Sequence, residues 1–506
     1  MRSRGGATPN DMVRDFATSS RGLVVAPAGC GKTELIADAV LASGVGKQLI
    51  LTHTHAGVRA LRTRLQSKKA DPVGYFVDTI SGFSLRYASA FQGLSGWRAG
   101  EPSSEEWPQV YEAAWRALQN RHVRGVFTST YAGLFVDEYQ DCTVRQHKII
   151  DLLADFIPTR IVGDPLQGIF DFSGADAIVD WTRNVYPSFR QVGDLQIPHR
   201  WLGPGRNADL GQWLLDARGK LLSGVPLSFD SAGPVQWRPF PDSEFPESAQ
   251  IGACQTLLRH PAHETVAVIR KMPHQAHHLA KNLGGTFHSM EEVECRDLTK
   301  WCDKLEASAG LETARLVIEF ALACMTVKPS CLTDLGKLLA KGELPGDRKL
   351  KNHAPLKDIA RTVATGSGPR AIGSMLQVIA KTPGVILYRR ELFREMQSVM
   401  RCHPEGSTEP LRRTAWRIRD RERHFDRPLD GRVVSRTLLI KGLKFDHAIL
   451  VDAEEFDDAK NLYVALTRAS KSLTVMSRSR TIKVLAPGLA SPLIDIAPAV
   501  QLGLGL

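Results

Sequence analysis

The run Ala26-Pro27-Ala28-Gly29-Cys30-Gly31-Lys32-Thr33 constrains this chain more than any other feature. It follows the apolar stretch Gly22-Leu23-Val24-Val25 and precedes Glu34-Leu35-Ile36-Ala37-Asp38-Ala39-Val40, whose apolar residues have helical spacing. A strand, a glycine-rich loop and a helix in that order make a phosphate-binding loop. Small residues at Ala28, Gly29, Cys30 and Gly31 let backbone N–H groups wrap phosphates, and the helix N-terminus adds a favourable field. The pattern assigns Lys32 to the β/γ-phosphates and the Thr33 hydroxyl to Mg²⁺. Ala26 is a mild departure, standing where the simple pattern has Gly.

A second signal narrows the chemistry. Leu134-Phe135-Val136 is a short apolar strand that runs directly into Asp137-Glu138-Tyr139-Gln140-Asp141. Carboxylates at a strand end in a phosphate-loop protein suit two tasks. Asp137 would hold Mg²⁺ through water, and Glu138 would polarise the attacking water.

Asp137 through Asp141 resembles motif II of the UvrD/Rep-like helicases of superfamily one, and further motifs follow in order. Leu51 through Val58, with Ala60-Leu61-Arg62, is similar to a strand-contacting motif, as is Thr79-Ile80-Ser81-Gly82-Phe83. Val162 through Phe170 resembles motif III, and Leu195 through Trp201 resembles motif IV. Lys441-Gly442-Leu443-Lys444-Phe445 resembles motif V, and Asn461 through Ala469 resembles motif VI. The resemblance implies ATP as ligand, Gln167 as γ-phosphate sensor, Arg200 facing the γ-phosphate and Arg468 as arginine finger. It adds Gly442 to the nucleotide contacts. It assigns His53, Thr54, His55, Phe83 and Phe172 to single-stranded DNA.

Departures from the family pattern are specific. The segment Pro9 to Arg14 lacks the upstream Gln that reads adenine in the family. Phe172 and Ser173 stand where motif III usually has Trp and Arg, leaving an aromatic face for base stacking. Leu438 and Lys444 replace the His and Glu of motif V. A cation cannot accept a hydrogen bond from a sugar hydroxyl, so Lys444 implies altered sugar selectivity.

The fold class expected is α/β, with two RecA-like phosphate-loop domains built on parallel sheets, each carrying a mainly helical insert. The first domain is read as residues 1–195 with a tryptophan-containing insert at about 86–130, and the second as 196–291 plus 431–506, interrupted by a helical insert at 292–430. The insert ends in a basic, aromatic run, Arg412, Arg413, Trp416, Arg417, Arg419, Arg421 and Arg423. Such a run suits phosphate contact plus stacking, or a solvated helix laced with salt bridges.

A net charge of +11 on 506 residues agrees with a polyanionic partner. The N-terminus lacks an apolar signal segment and no run is long enough to span a bilayer, so a cytoplasmic protein with no membrane association is expected. Reduced thiols are then expected for the eight cysteines. The pairs Cys295/Cys302 and Cys324/Cys331 share a spacing that returns to one helix face, which reads as core rather than as a metal cluster. Adjacent His277 and His278 read as a solvated helix face.

These readings converge on an ATPase that moves along single-stranded DNA or acts at duplex/single-strand junctions, in repair or phage defence, with 3′-to-5′ polarity implied by the resemblance. A regulatory reading stands beside it. Length and motif flavour also resemble the helicase-like subunit of Gabija anti-phage systems, which implies sensing of DNA and nucleotide for a nuclease partner supplied in trans. The chain closes soon after motif VI and shows no nuclease signature of its own.

Overall fold

The computed structural model describes residues 9–98, 100, 102–103, 105–170, 176–230, 232–240, 246–292, 295–344, 353–366, 368–423 and 431–485. Its frame is a pair of six-stranded sheets, an α/β architecture. The first contains β1 (Arg21–Val25), β2 (Gln48–Thr52), β3 (Tyr75–Thr79), β4 (Gly133–Val136), β5 (Thr159–Gly163) and β6 (Arg190–Asp194). Their order is β3-β2-β4-β5-β1-β6, and every pairing is parallel. Parallel strands covered on both faces require continuous apolar runs. Accordingly β2, β4 and β5 are buried at every position.

That order places the functional loops. β4, β5 and β1 are neighbours, with Val25 opposite Gly163 and Val136 opposite Ile161. The phosphate loop after β1, the acidic loop after β4 and the Asp164–Gln167 turn after β5 therefore emerge side by side at the carboxyl ends of the strands, where open α/β sheets bind ligands.

The second sheet runs in the order His288–Ser289, Arg432–Arg436, Val266–Arg270, Phe445–Leu450, Ala469–Ser477, Val235–Pro239, again parallel throughout. Between its third and fourth strands in sequence lie helices from Arg296–Glu306 to Leu411–Arg423, with a short antiparallel pair, Met325–Val327 and Ile386–Leu387. These helices have their own apolar core, to which Cys295, Cys302, Cys324 and Cys331 all contribute. Burial pushes the Cys295 and Cys302 thiols up to about 12.

Ion pairs tie the helical insert to the second sheet. Arg389 donates to Glu291 at 2.7 and 2.6 Å and to Asp297 at 2.8 Å. The basic helix near the end of the insert is laced with salt bridges. Arg419 is buried and paired with Glu395 at 2.6 Å, Arg412 pairs with Asp303, and Arg413 and Arg417 pair with Glu409. Arg419 is thus a core cation rather than a phosphate contact, while Trp416 is exposed.

Near the first sheet, helices Trp107–Gln119 and Arg121–Thr130 share one apolar cluster with β1, β2 and β4. Tyr111 ties them to the sheet: its hydroxyl lies 2.9 Å from Ser81 Oγ and accepts from Gln146 Nε2 at 2.9 Å. Phe83 belongs to this cluster, and its assignment to DNA is corrected. The ring is wholly buried on helix Ile80–Ala90, 4.6 Å from the Tyr87 ring and 6.2 Å from that of Phe127. No face remains for a base, and Thr79 of the same motif caps the helix by accepting from the Gly82 N–H. Phe83→Ala is therefore expected to destabilise the fold by about 3–5 kcal/mol in denaturant titrations, with single-strand affinity of the folded fraction unchanged. Lost affinity without lost stability would restore the stacking role.

Candidate active site

The phosphate loop has the backbone its glycines permit. Gly29 and Gly31 adopt φ of 72° and 92°, left-handed values that other residues reach only with strain. A Cβ on Gly29 would also sit 2.6 Å from the Trp201 ring and 2.7 Å from Arg200 Cβ, so a close approach enforces glycine there. Helix Lys32–Ala42 begins after Gly31 with no side-chain cap, and its first-turn amides suit an anion. Thr33 is half-buried in that turn.

Lys32 and the acidic loop meet directly. Lys32 Nζ lies 3.0 Å from Glu138 Oε2, which also accepts from Gln140 Nε2 at 2.5 Å. Glu138 has φ of 54°, an unusual conformation for a non-glycine residue and of the kind that clusters at functional sites. Asp137 Oδ1 accepts the Glu138 N–H at 2.8 Å. Burial raises the Asp137 titration, and the adjacent Glu138 charge raises it further. Burial pushes Glu138 upward, but the Lys32 ammonium, the Gln140 hydrogen bond and the Lys441 charge together outweigh it and hold Glu138 below the usual carboxylate range.

Gln140 links this loop to the next. Its side-chain oxygen accepts the Asp164 N–H at 3.0 Å. Asp164 is fully buried, and its Oδ2 accepts from Gln167 Nε2 at 3.0 Å. Lys32, Asp137, Glu138 and Gln167 thus lie on one connected network.

Several groups from segments that pack with the second sheet surround this network. The Arg200 N–H donates to Gly29 O at 3.0 Å, and Arg200 Nη1 donates to Thr467 O at 2.8 Å. Its Nε is buried without a partner among the described residues. An orphaned guanidinium N–H beside an uncapped helix start fits a polyanion. The Tyr463 hydroxyl accepts the Ala28 N–H at 3.2 Å, and Trp201 Nε1 donates to Ala469 O at 2.7 Å. Lys441 pairs with Asp141 and lies 4.2 Å over the Phe170 ring.

Arg468 is placed differently from the finger implied by resemblance. It is 1% exposed and donates to the carbonyls of Val464, Ile440 and Leu443 at 2.7, 3.3 and 3.2 Å and to Thr467 Oγ1 at 2.8 Å. Burial, with Arg200 nearby, pushes it down to about 9. Its guanidinium braces helices Thr437–Ile440 and Ala459–Leu466 and the loop at Leu443 in this conformation.

Of the strand-contacting candidates, Thr54 and His55 are exposed at the start of helix His55–Ser67, where Thr54 Oγ1 accepts from the Gly57 N–H at 3.0 Å. His53 turns inward, its Nε2 3.5 Å from Cys142 Sγ, and burial together with the Lys441 ammonium pushes it down to about 4. Phe172 lies outside the described residues. Gly442 has φ of 81° and is exposed. The Lys444 side chain is also exposed, and its titration is lowered by partial burial and by Arg200, Arg206 and Arg64.

Two histidines elsewhere, His447 and His277, have partners within the chain. His447 Nε2 meets Glu264 at 2.7 Å and Nδ1 meets Ser472 Oγ at 2.7 Å, while Lys471 holds the other Glu264 oxygen at 2.5 Å. His277 Nδ1 lies 2.6 Å from Ser289 Oγ, so only its neighbour His278 fits the solvated-face reading. Among the described residues no helix is long and apolar enough to cross a membrane.

Residues 105–179 match the family model of the UvrD/REP helicase N-terminal domain, a segment that includes Asp137, Glu138 and Gln167. The RecBCD enzyme subunit RecB of Buchnera aphidicola subsp. Acyrthosiphon pisum (strain APS) is 34% identical over 61 residues. That stretch is 12% of this chain and only 5% of RecB. The chain thus spans a small part of that relative's length. Among solved structures, Pif1 helicase from Candida albicans aligns over 96% of this chain and 97% of its own, at 11% identity and a TM-score of 0.37. Arterivirus nonstructural protein 10 (helicase) aligns over 93% of this chain and 63% of its own, at 13% identity and a TM-score of 0.32. Over residues 105–179 the chain is similar to the N-terminal domain of UvrD/REP helicases.

The raised Asp137 titration has a definite sign. A carboxyl that holds its proton more tightly folded than unfolded stabilises the fold at low pH, and that contribution fades as pH rises through the raised value. Nucleotide-free protein should lose up to about 1.4 kcal/mol per pH unit from this group above the usual carboxylate range. Asp137→Asn should flatten that limb in thermal unfolding followed across pH. An identical profile in the variant would contradict the assignment.

Proposed function

We propose that this protein is an ATP-hydrolysing motor that translocates 3′-to-5′ on single-stranded DNA and opens duplex/single-strand junctions. The observation that carries the proposal is the convergence of Lys32, Glu138, Asp164 and Gln167 on adjacent strand ends, faced by Arg200 with its unpartnered Nε. Lys32 neutralises Glu138. A γ-phosphate competes for the same ammonium and draws it away. Glu138 is then released to polarise the attacking water, so substrate arrival itself arms the base. Thr33 and Asp137 are the residues that would hold Mg²⁺, which would supply phosphate charge neutralisation. Arg200 adds positive charge where it develops during phosphoryl transfer.

Coupling to DNA follows from shared elements. Lys441 joins the acidic loop through Asp141, lies over the Phe170 ring and acts electrostatically on His53, which precedes the exposed Thr54 and His55 in the chain. Motion between the two sheets therefore changes nucleotide and strand contacts together. The positive net charge favours phosphate-backbone binding that weakens with salt.

Lys32→Ala should abolish hydrolysis, and Glu138→Gln should slow it by about 10²–10⁴-fold while nucleotide still binds. Turnover near wild type in both variants would remove the site. Lys444→Glu should sharpen preference for ATP over its deoxy analogues in relative kcat/KM. An unchanged ratio would leave Lys444 as a solvent-exposed cation with no part in selectivity.

A further inference from the structure

Asp164 carries a second attachment that no motif announces. Arg218 lies on helix Ala208–Leu222, which packs in the core of the second sheet. Its Nη2 and Nε reach back to Asp164 Oδ1 at 3.0 and 3.3 Å. The two carboxylate oxygens divide the work. Oδ1 takes Arg218 and the Leu166 N–H at 3.2 Å, while Oδ2 takes the Gln167 side-chain amide at 3.0 Å. Asp164 is wholly buried and the Arg218 side chain is 15% exposed. Removing one partner of such a pair strands a buried charge, and the pair can form only when helix Ala208–Leu222 is docked on the loops of the first sheet.

We infer that Arg218 is a positioning residue: through Asp164 it fixes the Gln167 amide, and it makes that orientation conditional on docking of the two sheets. The inference rests on the proposed hydrolytic role of Gln167. Arg218 touches no reacting atom. The Asp164 backbone N–H is held by Gln140, which also binds Glu138, so the turn is anchored on its first-sheet side whether or not Arg218 is present. What Arg218 alone supplies is the tie from across the cleft. Undocking then leaves Asp164 without its cation, and the Gln167 amide loses a fixed acceptor.

The test uses the full chain and two readouts. Arg218→Lys keeps the charge but loses the planar fork, and it avoids leaving Asp164 unpaired. Hydrogen exchange at the Leu166 and Gln167 amides should accelerate several-fold in this variant with the global unfolding midpoint close to wild type. In steady-state ATPase assays its kcat should fall about tenfold with KM within about twofold, and adding Gln167→Ala should cost little more than Gln167→Ala alone. Unchanged exchange at those amides overturns the inference whether or not the protein hydrolyses nucleotide. With active wild type, an additive double variant also overturns it. Inactive wild type would sink the functional proposal alone, while accelerated exchange would still support the mechanical tie.

Discussion

A buried negative charge organises this molecule. Asp164 directly follows β5, fully enclosed, and an uncompensated carboxylate there would cost several kcal/mol. It is compensated by Arg218, on a helix that packs with the second sheet, and by donors from Gln167 and Leu166. Through Gln140 the same turn is joined to Glu138, and through Glu138 to Lys32. The catalytic candidates of the first sheet are therefore not independent side chains on separate loops. They are one hydrogen-bonded unit whose last charge is balanced from across the cleft.

Apolar packing supports the polar contact. Ala28 and Leu166 of the first half share an apolar cluster with Trp201, Leu210 and Tyr463. The Tyr463 hydroxyl and Arg200 backbone bond directly to the phosphate loop. A close-packed interface responds to strain in discrete steps rather than by smooth deformation. Under the proposed function, occupancy of the phosphate loop would bear directly on how the two sheets sit. The ion pairs of Arg389 with Glu291 and Asp297 join the helical insert to the end of strand His288–Ser289.

Much of this was legible in the sequence where structure is local. The phosphate loop, the strand into Asp137-Glu138 and the Gln167 turn each occupy a few consecutive residues whose chemistry and backbone demands are inseparable. Positions inside a motif were harder, because a motif mixes contact residues with residues that hold the backbone. Phe83 is one of the latter, filling the core beneath Thr79. Arg419 looked like part of a phosphate-binding run, yet it pairs with Glu395 in the core of the helical insert. Burial, not composition, separates these cases. Arg218 gave no signal at all, sitting in an ordinary amphipathic helix far along the chain from Asp164. The role of Tyr463 was equally hidden, since its partner is the Ala28 amide. Contacts between distant segments follow from the docking of two sheets, which no local pattern encodes.

The central claim is that nucleotide chemistry at this cleft is coupled to a nucleic-acid strand. The most direct measurement is steady-state ATPase turnover of the intact chain with and without a single-stranded DNA oligonucleotide, at low and then high salt. The account predicts stimulation by the strand of about tenfold or more, fading as salt weakens the phosphate contacts. An active enzyme whose turnover is the same with and without DNA at every salt concentration would contradict it.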